Sequence, residues 1–281
     1  MSIRIITDSA SDLSEKESRH LTILPLTVRF GDTEYLDGVT LSGKEFYEKL
    51  IESDVLPTTS QISPYDFEQA IQKALDAGET PIVITLSSKL SGTYNSAKLA
   101  AEEFDEEVYV IDSENVCVGE KILVQYALRL VEEGKSAREI AEALETAKKK
   151  VCLVALLDTL EYLRKGGRIS NVTGIVGGML SIKPVIGIVD GVVEMLGKAR
   201  GSRNANNLLA QQIDAAGGVD FSMPYALAYS GLDDTLIRKY IDDNEHIWKS
   251  HTEKLEIGLV GSTIGTHAGP GAIAVSFFKE I

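Results

Sequence analysis

The chain has little that would cross-link it or attract it to a polyanion. It contains two cysteines in 281 residues, and 42 acidic against 28 basic residues give it a formal charge of −14. Cys117 and Cys152 lie in apolar runs, so we expect buried thiols in a reducing cytoplasm rather than a disulfide. The negative charge disfavours nucleic acid and anionic lipid as partners.

The sequence also lacks the usual marks of membrane proteins and of several enzyme classes. No apolar stretch reaches the roughly 18 to 20 residues that span a bilayer, so we expect no stable membrane insertion. The opening "MSIRIITDSA" has a strand pattern without a targeting segment. There is no P-loop, dinucleotide fingerprint or G-x-S-x-G elbow. His246 and His251 are five apart, whereas two metal ligands on one helix face favour a spacing of four, so we expect no metal site.

The first half of the chain alternates strand and helix patterns. The runs "IRIITDSA" (3–10), "PIVITLSS" (81–88) and "VYVIDSE" (108–114) each end in Asp or Ser before a helical stretch. This alternation predicts a mostly parallel sheet between helices, with ligands at the carboxyl ends of the strands. Residues 23–39 interrupt it and predict a hairpin turning at Gly31-Asp32, and the pattern leaves open which sheet the hairpin joins.

The pattern changes after about residue 150. An apolar, glycine-rich stretch contains "IVDGVVEM", which is typical of a hairpin, and two β runs flank a glycine-rich loop near the C-terminus. We therefore predict an α/β protein of two domains with the ligand between them. Residues 1–159 would form an N-terminal, mostly parallel α/β/α sheet domain, and residues 160–281 a C-terminal α+β domain with a mixed sheet.

Four segments carry candidate chemistry: "LSSKLSGTYNSA" (86–97), "PTTSQISP" (57–64), "RKGGRIS" with "GKARGSR", and "GSTIGTHAGPG" (261–271). The first two contain more hydroxyls than a helix N-cap needs, although each hydroxyl alone is typical of a cap. Gly92 would let the backbone approach a ligand, and the helix start that follows favours an anion. The basic residues could equally be a solvated surface; they are Arg164, Lys165, Arg168, Lys198, Arg200 and Arg203.

Seven blocks in order make the chain resemble the bacterial DegV family. They are "TDSASDLS", "PTTSQISP", "LSSKLSGTYNSA", "LRKGGRIS", "IKPVIGI", "GKARGSR" and "THAGPGAIAV", and they run from residue 7 to residue 275. The resemblance implies a fatty-acid-binding protein of two α/β domains with a buried acyl chain. The best-understood members are acyl-binding subunits of bacterial fatty acid kinase, which present the carboxylate to an ATP-using subunit that makes acyl phosphate for phospholipid synthesis.

The resemblance also assigns residues. It implies carboxylate contact by Thr59 and Ser91, with Thr58 as a near alternative, places His267 nearby, and associates Arg200 with the kinase. Ile62 departs from the family, where Pro is common. The complete expected ligand-binding set is Thr58, Thr59, Ser88, Ser91, Gly92, Thr93 and His267. The expected partner-docking set is Lys165, Arg168, Arg200 and Arg203.

We expect a non-catalytic lipid-binding subunit with a long-chain fatty acid as ligand and no other cofactor. The segments 174–189 and 272–278 are candidates for the lining of an apolar tunnel or for plain core, so chain length is not readable. One alternative is a serine hydrolase acting on acyl substrates through Ser91, His267 and Asp158. A second is a regulator that binds phosphate or nucleotide through its basic segments.

Overall fold

The computed structural model describes residues 2–169 and 182–280, apart from the side chains of residues 202, 203 and 254. The strands within these residues are β1 (Ser2–Asp8), β2 (Leu21–Leu24), β3 (Thr27–Phe30), β4 (Thr33–Leu36), β5 (Thr58–Ser60), β6 (Glu79–Thr85), β7 (Tyr109–Asp112), β8 (Val151–Leu156), β9 (Ile182–Val189), β10 (Val192–Arg200), β11 (Ala226–Tyr229), β12 (Ile257–Leu259) and β13 (Ile273–Phe278).

The helices of the described chain are α1 (Gly43–Glu52), α2 (Pro64–Asp76), α3 (Thr93–Ala101), α4 (Val118–Glu132), α5 (Ala137–Ala147), α6 (Glu161–Lys165), α7 (Ser202–Ala215), α8 (Thr235–Asp243), α9 (Glu245–Trp248) and α10 (Ser262–Ala268). In the part of the chain that the structure describes, no helix is both long and apolar enough to cross a bilayer.

The first sheet is parallel throughout, with the strand order β2-β1-β6-β7. Successive side chains of a strand point to opposite faces, and the two faces of β1 and β6 pack into different clusters. Ile5 and Ile82 pack with α4 and α5, whereas Ile6 and Val83 pack with α2 and α3. The predicted parallel sheet between two layers of helices is confirmed.

The second sheet has six strands in the order β10-β9-β8-β13-β11-β12 and is mixed, since only β11 and β12 pair in parallel. The predicted mixed sheet of the C-terminal half is confirmed. Its first strand along the chain is β8, so the change of sheet occurs at Val151. The domain boundary between residues 159 and 160 stays a prediction. The apolar run of β8 resembles those of the first sheet, and only its pairing with β13 and β9 reveals its sheet.

Helix α4 lies between the two sheets. It packs against β1 of the first sheet and against β8, β11 and β13 of the second. A helix with sheets on both sides must be apolar around its circumference, and Ile122, Leu123 and Val124 are consecutive and fully buried. The two halves of the chain therefore share one continuous core.

Both predicted hairpins are confirmed. Strands β3 and β4 turn at Gly31-Asp32, but with β5 they form a separate three-stranded sheet, so the hairpin joins neither large sheet. Strands β9 and β10 turn at Asp190 (φ 47°) and Gly191 (φ 79°). Two consecutive positive φ angles are what a two-residue type I′ turn requires.

The two cysteines are free thiols, as expected, but they differ in exposure. Cys117 is buried, whereas Cys152 on β8 is half-buried. The expectation of two buried thiols is therefore right for Cys117 and wrong for Cys152.

The buried carboxylate of Asp37 connects the small sheet to α10. It accepts hydrogen bonds from Ser9 Oγ (3.0 Å), from the backbone nitrogens of Ser262 (3.0 Å) and Thr263 (3.2 Å), and from the hydroxyl of Ser262. Ser9 follows β1, and Ser262 and Thr263 form the first turn of α10. One side chain therefore holds together three segments that are distant in sequence.

Asp37→Ala should lower the free energy of unfolding by about 3 kcal/mol, because it leaves several buried donors without an acceptor. Urea denaturation measures the change. Asp32→Ala, an exposed position in the β3–β4 turn, is the matched control and should change stability little. Equal stability of the two variants would contradict the connecting role of Asp37.

Candidate functional site

A cavity of about 400 Å³ lies between the two halves of the chain. The second sheet contributes an apolar wall from β8, β9, β10 and β13, which includes Leu153, Ala155, Ile186, Ile188, Val193 and Ala274. Polar side chains line it from β5, the start of α3, the segment after α6, and α10; they include Thr59, Gln61, Ser91, Arg168, Thr263 and His267. The cavity therefore suits a molecule with a long apolar part and a polar group.

Thr59 and His267 meet at the polar side of this cavity. Thr59 Oγ1 and His267 Nε2 are 3.0 Å apart, although the two residues are 208 positions apart in sequence. The other ring nitrogen, Nδ1, is buried and has no hydrogen-bond partner among the described residues. It faces Gly166, where a β-carbon would lie 2.1 Å from it. Only glycine at position 166 leaves room for the ring in this position.

The imidazole of His267 is held in its neutral form. Burial, and to a lesser degree the positive charge of Arg168, lower the pKa of His267 from 6.5 to about 4. A neutral imidazole has one nitrogen that donates and one that accepts. At neutral pH the ring can therefore bond to Thr59 without adding a charge to the cavity.

Ser91 has two roles at the start of α3. Its hydroxyl lies 2.9 Å from Thr93 Oγ1 and accepts a 3.3 Å hydrogen bond from the Thr93 backbone nitrogen. It therefore helps to cap the helix, and it also lines the cavity, whereas Thr93 is fully buried. The position of the Ser91 hydroxyl is therefore compatible with both roles that the sequence left open, helix capping and ligand binding.

Gly92 packs closely against the side-chain amide of Gln61. A β-carbon at Gly92 would lie 2.0 Å from Gln61 Oε1, and Gln61 Nε2 donates to Ser96 Oγ at 2.9 Å. The backbone of Gly92 has an ordinary helical conformation (φ −74°), so only the Gln61 amide opposes a larger residue at this position. Gln61 lines the cavity but was not among the ligand-binding residues expected from the sequence. Its position directly after three hydroxyl residues is the signal that could have indicated it.

Three of the expected ligand-binding residues lie outside the cavity lining, and one of them is the fully buried Thr93. Thr58 is exposed on β5, and Ser88 is half-buried, with its backbone nitrogen bonded to Asp112 Oδ1 at 3.2 Å. Neither is among the described residues that line the cavity. Thr59 and Ser91 are therefore the better-placed hydroxyls of the two blocks.

The expected docking residues are divided between the cavity and the surface. Arg168 lines the cavity and donates to the carbonyl oxygens of Leu90 (3.1 Å) and Gly166 (2.7 Å). Lys165 and Arg200 are exposed, and Lys165 pairs with Glu161 at 2.8 Å. The side chain of Arg203 and the tunnel candidates 174–181 lie outside the described residues.

The three residues considered for a hydrolase make other contacts. Asp158 forms an ion pair with Lys183, the Ser91 hydroxyl bonds at Thr93, and His267 bonds Thr59. A nucleophilic serine needs a base within hydrogen-bond reach and a third group that orients the base. The described contacts do not connect Ser91, His267 and Asp158 in this way.

Two further carboxyl groups lie near the cavity. Asp12 accepts hydrogen bonds from the Gly261 backbone nitrogen (2.9 Å) and from Cys117 Sγ (3.4 Å), and Cys117 lines the cavity. Burial, reinforced by the nearby charge of Asp37, raises the pKa of Asp12 to about 8, and burial raises that of Asp8 to about 7. Asp12 is therefore mostly uncharged at neutral pH, which reduces repulsion of an anion in the cavity.

No group of three or more His, Cys, Asp or Glu side chains suited to a metal ion occurs within the described residues. His251 instead stacks on Phe221, with ring centroids 3.5 Å apart.

The model of the DegV family matches residues 2–280 of the chain. The chain belongs to the DegV family. A DegV domain-containing protein from Caldanaerobacter subterraneus subsp. tengcongensis is 35% identical, and the match covers 99% of each chain. A DegV family protein from Thermus thermophilus, described as binding fatty acid, superposes with a TM-score of 0.89 at 30% identity over 100% of both chains. A stearic acid-binding protein from Eubacterium ventriosum has a TM-score of 0.86 at 26% identity, covering 99% of this chain and 98% of its own.

The His267 ring should titrate with a pKa of about 4. An NMR titration, with the signal assigned by its loss in His267→Gln, measures this value. Arg168→Ala should raise the pKa only in part, because burial is the larger cause of the shift. A midpoint near the ordinary value of about 6.5 would contradict a neutral imidazole whose ring is largely removed from water.

Proposed function

We propose that this DegV family protein binds a long-chain fatty acid in the cavity, with its carboxylate at Thr59, Ser91 and His267. The observation that carries the proposal is a single cavity that joins two hydroxyls and a neutral histidine to an extended apolar wall. The descriptions of the Thermus and Eubacterium structures as fatty-acid-binding and stearic acid-binding proteins support it.

The polar side of the cavity meets the requirements of a carboxylate. A carboxylate removed from water costs several kcal/mol unless hydrogen bonds replace its hydration. The hydroxyls of Thr59 and Ser91 can donate these bonds, and the N-terminus of α3 adds a partial positive charge beside Ser91. Arg168, which also lines the cavity, adds a full positive charge.

The apolar wall accounts for most of the expected affinity. Each buried methylene contributes about 0.8 kcal/mol, so ten of them contribute roughly 8 kcal/mol. A single charge-assisted hydrogen bond contributes about 1.5–3 kcal/mol. The tail therefore determines how tightly the ligand binds, while the carboxylate site determines which end of the ligand lies at Thr59 and Ser91.

We further propose that the protein presents the carboxylate to a separate ATP-using kinase subunit and does not itself catalyse the phosphorylation. Thr59, Ser91 and His267 are half-buried, so their site is within reach of a partner. Lys198 and Arg200, near the end of β10, are exposed cations on a chain of net charge −14. Such cations would accelerate and orient docking of an acidic partner surface.

Ser91→Ala and Thr59→Ala should each weaken binding of stearate by roughly 1–2 kcal/mol, because each removes one hydrogen bond to a charged group. Calorimetric titration with stearate measures the loss. Thr58→Ala, one residue away on the same strand and exposed, is the matched control. Methyl stearate should bind all three variants about equally, since it lacks the charge. Unchanged stearate affinity in both cavity variants would place the carboxylate elsewhere.

Arg200→Ala should leave stearate affinity intact and reduce acyl-phosphate formation by the cognate kinase, most strongly at low salt, because added ions screen exposed charges. Stearate affinity and the rate of acyl-phosphate formation are measured on the same preparation of the variant. Arg138→Ala, which removes an exposed cation on α5, is the control. Parallel loss of binding and phosphorylation would place Arg200 in the ligand site, and unchanged phosphorylation would exclude it from docking.

A further inference from the structure

The hydroxyl of Thr263 is buried in the cavity wall without a partner. Thr263 is 3% exposed and lines the cavity, and its Oγ1 makes no hydrogen bond among the described residues. The other hydroxyls of α10 are bonded: that of Ser262 to Asp37, and that of Thr266 to the Ser262 carbonyl oxygen at 2.9 Å. Among the three hydroxyls of α10, only that of Thr263 has no hydrogen-bond partner within the described residues.

The position of Thr263 in the helix explains why its hydroxyl is left over. A helical threonine usually bonds to the carbonyl oxygen four residues earlier. Helix α10 begins at Ser262, so Thr263 is in the first turn and has no such helical carbonyl. The Thr263 backbone nitrogen already donates to Asp37. A buried hydroxyl without a partner destabilises a fold, and valine would fill the same volume without this cost.

The location of this hydroxyl indicates where a partner would come from. Thr263 and His267 are four residues apart on α10, so they lie on the same face, about 6 Å apart along the helix axis. Both line the cavity. The hydroxyl therefore lies one helical turn from the group that bonds Thr59, on a residue of the same cavity wall.

We propose that the cavity prefers an acyl chain that carries a hydroxyl or keto oxygen a few carbons from its carboxylate, and that Thr263 hydrogen-bonds to this oxygen. The inference rests on the proposed fatty-acid function. A threonine hydroxyl both donates and accepts, so it can bond either oxygen. A site with a buried polar group favours the ligand that satisfies it over the analogue that lacks the matching atom.

The test compares the affinities of three fatty acids for the wild type and two variants of Thr263. Affinities of hexadecanoate, 3-hydroxyhexadecanoate and 12-hydroxyhexadecanoate are measured on the wild type, Thr263→Val and Thr263→Ser. The preference for 3-hydroxyhexadecanoate over hexadecanoate should fall about tenfold in Thr263→Val and persist in Thr263→Ser, which keeps the hydroxyl. Hexadecanoate should bind Thr263→Val at least as tightly as wild type. The preference for 12-hydroxyhexadecanoate over hexadecanoate should be the same in the wild type and in both variants.

An equal preference in the wild type and Thr263→Val would overturn the inference. Equal weakening of all three acids by Thr263→Val would also overturn it, because Thr263 would then contact the carboxylate. Thermal melting of each variant shows that it is folded. If the wild type bound none of the three acids, the fatty-acid function itself would be rejected, and this inference with it.

Discussion

The carboxylate of Asp37 is buried, and a buried charge is stable only where donors surround it. Ser9, Ser262 and Thr263 supply those donors from the end of β1 and the first turn of α10. Helix α10 has only seven residues, so fixing its first turn also fixes its last, where His267 lies. The position of the imidazole in the cavity therefore depends on a side chain that directly follows β4 of the small sheet.

The cavity combines two environments that neither half of the chain provides alone. The second sheet contributes the apolar wall, and β5 and the turn before α3 contribute the hydroxyls of Thr59 and Ser91. Helix α4 packs against both large sheets and holds these surfaces in register. A ligand that contacts both walls would therefore stabilise the packing of one half on the other.

The local sequence patterns predicted the helices and strands well. The features that these patterns did not predict depend on contacts between residues distant in sequence. The turns at Gly31-Asp32 and Asp190-Gly191 were predictable because two residues determine each turn. The sheet to which β8 belongs depends on pairing with β13, more than 100 residues later. No periodicity in the sequence carries that information.

The candidate site also combines residues that the sequence indicated with contacts that only the structure shows. The hydroxyl blocks indicated Thr59 and Ser91, but the structure was needed to separate Thr59 from Thr58, since adjacent strand residues point to opposite faces. The close contact at Gly92 depends on Gln61, and the position of Arg168 in the cavity depends on Leu90 and Gly166. These contacts exist only once distant segments have packed.

The raised pKa values of Asp8 and Asp12 mean that the chain takes up protons when it folds at neutral pH. The unfolded carboxyls ionise near 3.8, whereas in the fold Asp8 ionises near pH 7 and Asp12 near pH 8. Their contribution to stability therefore declines as pH rises from about 4 to about 8. His267 acts in the opposite direction, because its lowered pKa makes folding release a proton between 6.5 and about 4. Folding therefore exchanges protons with the solvent both at His267, which lines the cavity, and at two carboxyl groups beside it.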